Sequence, residues 1–173
     1  MQDKVYITMI SSNAIMPSYA HSNDAGMDVF ASEDTYVLPG QSVLVPTGLK
    51  MAIPDGYEMQ IRPRSGLSLN TMLRIPNSPG TIDAGYRDEL KVIVYNSSSP
   101  FEAINKDNIC TTESKGNQQG IYLIRRGDRI AQMVFASVIH AQMIAVDSLD
   151  GIGNNRNGGF GSTGISDLTI PSK

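Results

Sequence analysis

Residues 80–95, GTIDAGYRDELKVIVY, hold the pattern from which the rest of the chain can be read. A short apolar run ending at Ile82 meets Asp83-Ala84-Gly85, a common turn sequence, and after Tyr86 and the charged Arg87-Asp88-Glu89 the chain re-enters an alternating run, Leu90 to Tyr95. Asp and Gly at a turn between two apolar runs predict two strands joined by a tip. Taken as structure alone it is a hairpin. Read for chemistry, it puts a carboxylate and an aromatic ring three residues apart on one tip, where Asp83 can act as a base and Tyr86 can shape a pocket.

Working outward, similar short runs recur between Gly, Pro, Asn and Asp punctuation. They are Val5 to Ile10, Thr35 to Leu38, Val43 to Val45, Tyr57 to Arg62, Leu90 to Tyr95, Ile121 to Ile124, Ala131 to Ala136 and Gln142 to Val146. Many short strands at this spacing predict an all-β sandwich or barrel. The turns are supplied by 16 Gly and nine Pro, as in Leu38-Pro39-Gly40 and Ile53-Pro54-Asp55-Gly56. One brief helix is predicted, from Ser65 to about Leu73. Two stretches differ: residues 96–120 are long and polar and read as a surface insertion at about 97–120, and residues 151–164, with six glycines, read as a flexible lid before a 165–173 tail.

Composition narrows the function. The 173 residues fit one domain, and 40% hydrophobic with 18% charged residues is the balance of a globular chain. A net charge of −3 supplies no broad basic face for nucleic acid or an anionic membrane, although a few converging arginines still suffice for a small anion. Cys110 is the only cysteine, which rules out an intrachain disulfide and predicts a reducing, cytoplasmic setting. The start, MQDKVYITMI, lacks the apolar core of a signal peptide and reads as a first strand. The longest apolar tract, Ile130 to Val146, is interrupted by Gln132, His140 and Gln142 and falls short of the roughly 20 residues that span a bilayer.

Several constellations carry chemistry. Pro63-Arg64-Ser65-Gly66 before a helix admits either an N-capping serine or a site where amides, a hydroxyl and a guanidinium meet one phosphate. In Arg126 to Gln132 the plain reading pairs Asp128 with Arg129 at a corner, while Gln132 needs amide partners in an otherwise apolar strand. Phe160, alone among the glycines of Gly158 to Gly164, is suited to stack on a planar ligand. His21 and His140 have no metal-ligand spacing.

Taken in order, five segments resemble the five motifs of the trimeric dUTPases: Ala25 to Ala31, Pro63 to Leu67, Gly80 to Arg87, Arg126 to Gln132 and Gly158 to Gly164. The resemblance implies a jelly-roll-like, distorted β-barrel, a homotrimer with an exchanged C-terminal segment, and hydrolysis of dUTP to dUMP and pyrophosphate with Mg²⁺. It implies control of uracil in DNA and supply of dUMP for thymidylate synthesis. It makes Asp83 the base that activates water against the α-phosphorus, and Asp28 a carboxylate that reaches the metal through water. Arg64, Ser65, Gly66 and Gln132 become phosphate contacts, with Asp128 and Arg129 supporting that strand.

Uracil would be read by the tip from Gly80, Thr81 and Ile82 to Lys91, with Asn77 at its base, and Tyr86 would pack on the deoxyribose. Phe160 would stack on the base, and Gly161, Ser162 and Thr163 would bind the terminal phosphates. The family's usual Arg before that aromatic is replaced by Asn155, so Arg156, one residue closer, is expected to meet the γ-phosphate. Asp88 stands where Gly is usual, and the polar stretch is roughly 20 residues longer than an ordinary connection, which leaves room for a partner-binding arm. Two other readings share the fold: a dCTP deaminase or bifunctional deaminase, and a non-catalytic nucleotide sensor or protein-binding module.

Overall fold

The computed structural model describes residues 4–100 and 109–158. These form two units, one reaching Ile139 and one beginning at His140. The expectations for Phe160, Gly161, Ser162, Thr163 and the 165–173 tail lie outside the described residues.

The first unit is built from three small sheets. One runs β1 (Tyr6–Met9), β4 (Ser42–Ala52), β8 (Leu90–Asn96), β6 (Leu73–Arg74); a second runs β2 (Met27–Phe30), β11 (Arg129–Ser137), β5 (Tyr57–Arg62), β7 (Gly80–Ile82); a third runs β3 (Thr35–Val37), β10 (Ile121–Ile124), β9 (Ile109–Thr111). The single helix is α1 (Ser65–Asn70). The all-β expectation holds. Alternation carries the core: along β8, Leu90, Val92 and Val94 are buried and meet Val45, Met51 and Ile53 from the β4 side, while Lys91 faces out.

Four differences from the sequence reading have physical causes. Pro46 and Gly48 looked like breakers after Val45, yet β4 continues to Ala52, because a register shift between Pro46 and Leu49 absorbs them as a bulge. Gly48 sits there at φ +68, and a Cβ on it would stand 2.8 Å from the Ser11 Cβ. The helix stops at Asn70 rather than about Leu73: Thr71 turns extended and its hydroxyl donates to the Leu67 carbonyl at 2.7 Å, so the chain can enter β6.

The polar insertion is not wholly a surface feature, since β9 pairs in parallel with β10 and Cys110 is buried. Its base is tied by Asn96, fully buried, whose amide donates to the Val37 and Gly120 carbonyls at 2.9 and 2.8 Å. The fourth difference lies in the second unit. Residues 142–146 form no strand, and Met143 and Ile144 are 88% and 73% exposed, so neither of these adjacent apolar side chains has a face to bury. Within the unit, Leu149 accepts from the Ile152 amide at 3.0 Å, and Arg156 donates through Nε to the Gly158 carbonyl at 3.3 Å. No described helix is long and apolar enough to cross a membrane.

Candidate active site

The stretch read as a hairpin is a corner between sheets. β7 pairs with β5, whereas β8 pairs with β4 and β6, so the two arms that leave the tip join different sheets. Their divergence opens a cavity of about 660 Å³, lined by Asn77, Gly80, Thr81, Ile82, Asp83, Tyr86 and Lys91, with Ile10 and Leu44 also on its wall. The Asp83 carbonyl accepts from the Tyr86 amide at 3.1 Å, the closed turn that Asp-Ala-Gly foretold. Asp83 itself is exposed to solvent at the tip.

Hydrogen bonds hold the tip. The Tyr86 hydroxyl donates to the Glu89 carbonyl at 2.9 Å, and Arg87 folds back onto the Ala84 and Tyr86 carbonyls. Sequence reasoning missed Glu89: its carboxylate accepts from the Gly48 amide at 2.9 Å and pairs with Lys91 at 3.3 Å. Thr47 in the same bulge donates to the Leu90 carbonyl at 2.6 Å. Thus the β4 bulge fixes where β8 leaves the tip. A glycine inside an alternating strand was the available signal.

At the cavity's other end, a cis Ser78–Pro79 peptide leads into Gly80, which is buried. A Cβ there would lie 3.1 Å from Asn77 Nδ2 and 3.4 Å from the Ile61 Cβ. Glycine therefore lets Asn77 close against the backbone of β7, and the two residues placed together by sequence are neighbours.

The second group centres on Asp28. Arg64 Nε meets one carboxylate oxygen at 3.0 Å and Arg129 Nε the other at 3.1 Å, with the carboxylate 15% exposed. Each guanidinium spends only Nε–H on this pair, so its terminal nitrogens stay available for an anion. Arg129 also lies over the Phe30 ring, 5.8 Å from its centroid. The corner pair expected between Asp128 and Arg129 is not what holds this turn: Asp128 instead accepts from the Arg125 amide and the Thr112 hydroxyl, both at 2.8 Å.

A bulge explains how β11 aims these side chains. Arg129 stands opposite Phe30 and Ala131 opposite Val29, with the register shifted between them, and both Ile130 and Ala131 are buried. Without the shift, residues three apart would face opposite sides of the sheet. With it, Arg129 reaches the Asp28 carboxylate, while Gln132, opposite Asp28 in register and resting against Gly26, shares that face. Ser65 does not cap the helix: Arg64 occupies the N-cap position and makes no side-chain capping bond, which leaves the exposed Ser65 hydroxyl free for another role.

A cavity of about 640 Å³ lies beside this group, bounded by Arg64, Gly66 and Arg129 on one side and residues 112–115 on the other. Behind it, burial pushes both the Cys110 thiol and the Tyr122 hydroxyl above their ordinary values. Tyr122 accepts from the Met72 amide at 3.1 Å and donates to the Gln118 carbonyl at 2.7 Å, so it binds the insertion to the body. Arg156 belongs to the second unit.

Comparison with known proteins agrees with this geometry. The dUTPase family model matches residues 12–111. A deoxyuridine 5'-triphosphate nucleotidohydrolase of Zymomonas mobilis is 44% identical over 155 residues, covering 89% of this chain and 91% of the relative. One from Gloeothece citriformis is 40% identical over 163 residues, covering 94% and 98%. Among solved structures, the dUTPase of Staphylococcus bacteriophage 80alpha with dUpNHpp superimposes with a TM-score of 0.83 at 28% identity, covering 95% of this chain and all of that one. With the five segments in order, the Asp83 corner and the Asp28-centred arginines, the chain belongs to the dUTPase family.

Proposed function

We propose that the protein hydrolyses dUTP to dUMP and pyrophosphate, with uracil and deoxyribose in the cavity under the Asp83 tip and the triphosphate against Arg64, Ser65, Gly66 and Gln132. The observation that carries this is the splayed corner: one turn presents a solvent-reaching carboxylate and a fixed tyrosine over a cavity walled by apolar side chains such as Ile61 and Ile82 together with Asn77, Thr81 and Lys91.

Asp83 takes a proton from water as the water oxygen bonds to the α-phosphorus; the bond from that phosphorus to the bridging oxygen breaks, and pyrophosphate leaves with the electron pair. Arg64 and Gln132 oppose the charge that gathers on the phosphate oxygens, which is where most of the acceleration arises in phosphoryl transfer. Asp28 supports this by holding Arg64 and Arg129 in fixed orientations. Uracil is recognised by edge groups of residues 80–82 and 91 with Asn77, whose fit to the pyrimidine edge excludes a 5-methyl group. Tyr86, its hydroxyl committed to the Glu89 carbonyl, is the ring we assign to packing on the deoxyribose and excluding a 2′-hydroxyl.

Among the described residues no three His, Cys, Asp or Glu side chains form a protein cage for a metal. Mg²⁺ would be held chiefly by the triphosphate and water and would supply charge neutralisation there, with Asp28 the carboxylate we assign to its water shell. Arg156, Phe160, Gly161, Ser162 and Thr163 are assigned to the triphosphate and base on the family pattern. The remaining part of the reading is a closed homotrimer. The two cavities share no lining residue, so a site that spans base and triphosphate fits assembly from different chains, and exposed Ile139, Met143, Ile144 and Leu149 offer a segment for exchange between subunits.

The test is pyrophosphate release with Mg²⁺ from dUTP beside dTTP, dCTP and UTP. Turnover confined to dUTP supports the assignment; ammonia release from dCTP, or no turnover by a folded trimer, overturns it.

A further inference from the structure

We propose that residues 112–115 of the insertion form the outer wall of the triphosphate pocket and that Lys115 binds the β- and γ-phosphates of the substrate. The inference rests on the dUTP reading and adds to it a residue from a stretch outside the five motif segments.

The segment is strapped across the elements that carry the arginines. At one end Thr112 donates to Asp128 at 2.8 Å, next to Arg129; at the other the Asn117 amide donates to the Asn70 carbonyl at 3.0 Å, at the end of the helix that begins at Ser65. The loop is also internally tied, with Thr111 and Ser114 exchanging bonds of 2.9 and 3.0 Å. On the far side the strap continues from β9, whose Cys110 is buried, so it is positioned by the core. The cavity of about 640 Å³ lies between strap and arginines.

Charge decides which side chain matters. Arg64 and Arg129 share Asp28, so that trio carries one net positive charge, while Glu113 and Asp128 on the same cavity wall bring two negative ones. A triphosphate brings several negative charges, and Lys115 lines the same cavity with no carboxylate partner among the described residues. An ammonium on a flexible stem acts as a point charge for phosphate without a fixed approach geometry, which suits an exposed wall.

Steady-state kinetics on the full chain test this, with Lys115→Ala and Lys115→Arg beside the parent, reading KM and kcat for dUTP and the inhibition constant of dUMP. Lys115→Ala is expected to raise KM about fivefold, an effect of the size of one partly screened ion pair, with kcat within about twofold. Lys115→Arg restores the parent KM, and dUMP inhibition is unchanged because dUMP lacks the two outer phosphates. A KM for Lys115→Ala within about twofold of the parent, or an equal weakening of dUMP, overturns the proposal while dUTP turnover by the parent stands. If the parent itself fails to hydrolyse dUTP, both readings fall.

Discussion

The Asp83 corner and the Asp28 cluster treat their polar groups in opposite ways. At the corner, side-chain and backbone bonds fix the backbone, through Tyr86, Arg87, Glu89 and the Gly48 amide, and the Asp83 carboxylate is left in solvent. In the cluster the carboxylate is largely covered and orients two guanidiniums whose side chains line the cavity. A neutral base is read by shape and edge groups, which demands a rigid wall. A polyanion is held by charge, which demands oriented cations. On the proposed reading, the same residue type, aspartate, is reagent in one place and scaffold in the other.

The largest expected effect comes from the reagent. Asp83→Asn should lower kcat for dUTP by about a thousandfold, within the range for loss of a general base, with little change in thermal stability because the side chain is exposed. Pyrophosphate release and a melting curve check it, and a kcat within about tenfold of the parent would end the contrast between the two aspartates.

Next is the wall. Gly80→Ala places a methyl against Asn77 and the Ile61 side chain and should destabilise the fold by about 1–3 kcal/mol and raise KM, because the cavity narrows where the base enters. Denaturant unfolding and dUTP kinetics together would show it. Unchanged values for both would mean the wall yields, and that rigidity is not what reads the base.

The scaffold role predicts a smaller, differently shaped loss. Asp28→Asn removes the charge that aligns Arg64 and Arg129, so KM for dUTP should rise about fivefold while stability falls by less than about 1 kcal/mol, the pairs being partly exposed. The Mg²⁺ concentration giving half-maximal rate separates the two uses of Asp28. Left unchanged, it favours the arginine scaffold; raised in step with KM, it favours the metal's water shell.

The smallest effect concerns the attachment of the insertion. Burial raises the Cys110 and Tyr122 pKa values from ordinary values of 9.0 and 10.0, so both stay protonated in the folded chain at pH values where the unfolded chain releases the proton. Their contribution is complete below about pH 9 and is lost as pH rises through the folded values. Thermal stability should therefore decline above pH 9, and Cys110→Ala should make that decline shallower. An identical alkaline slope in the variant would remove Cys110 from the explanation.

Much of the fold is written in local alternation: Leu90, Val92 and Val94 inward with Lys91 outward predict a half-buried strand, and the element is there. Asp83-Ala84-Gly85 likewise predicts its own turn, since a turn needs only four neighbouring residues. The family was legible for a different reason, because the order of five segments marks it even where single segments are ambiguous, and the candidate site residues follow from that order. What alternation misread were bulges and partners. Pro46 and Gly48 look like a strand end until a neighbouring strand absorbs them, and residues 142–146 look like a strand although their unit offers no described partner.

By itself, then, the sequence determined the all-β class, the turn that carries Asp83, and the family to which the chain belongs, all of which depend on residues close together in the chain or on their order. Only the tertiary structure decided that β7 and β8 part into different sheets, that Asp28 is shared by Arg64 and Arg129, and that Thr112 bonds Asp128. Those are relations between segments as many as a hundred residues apart. They follow from which edges pair and where a bulge shifts the register, and no short stretch of residues carries that information.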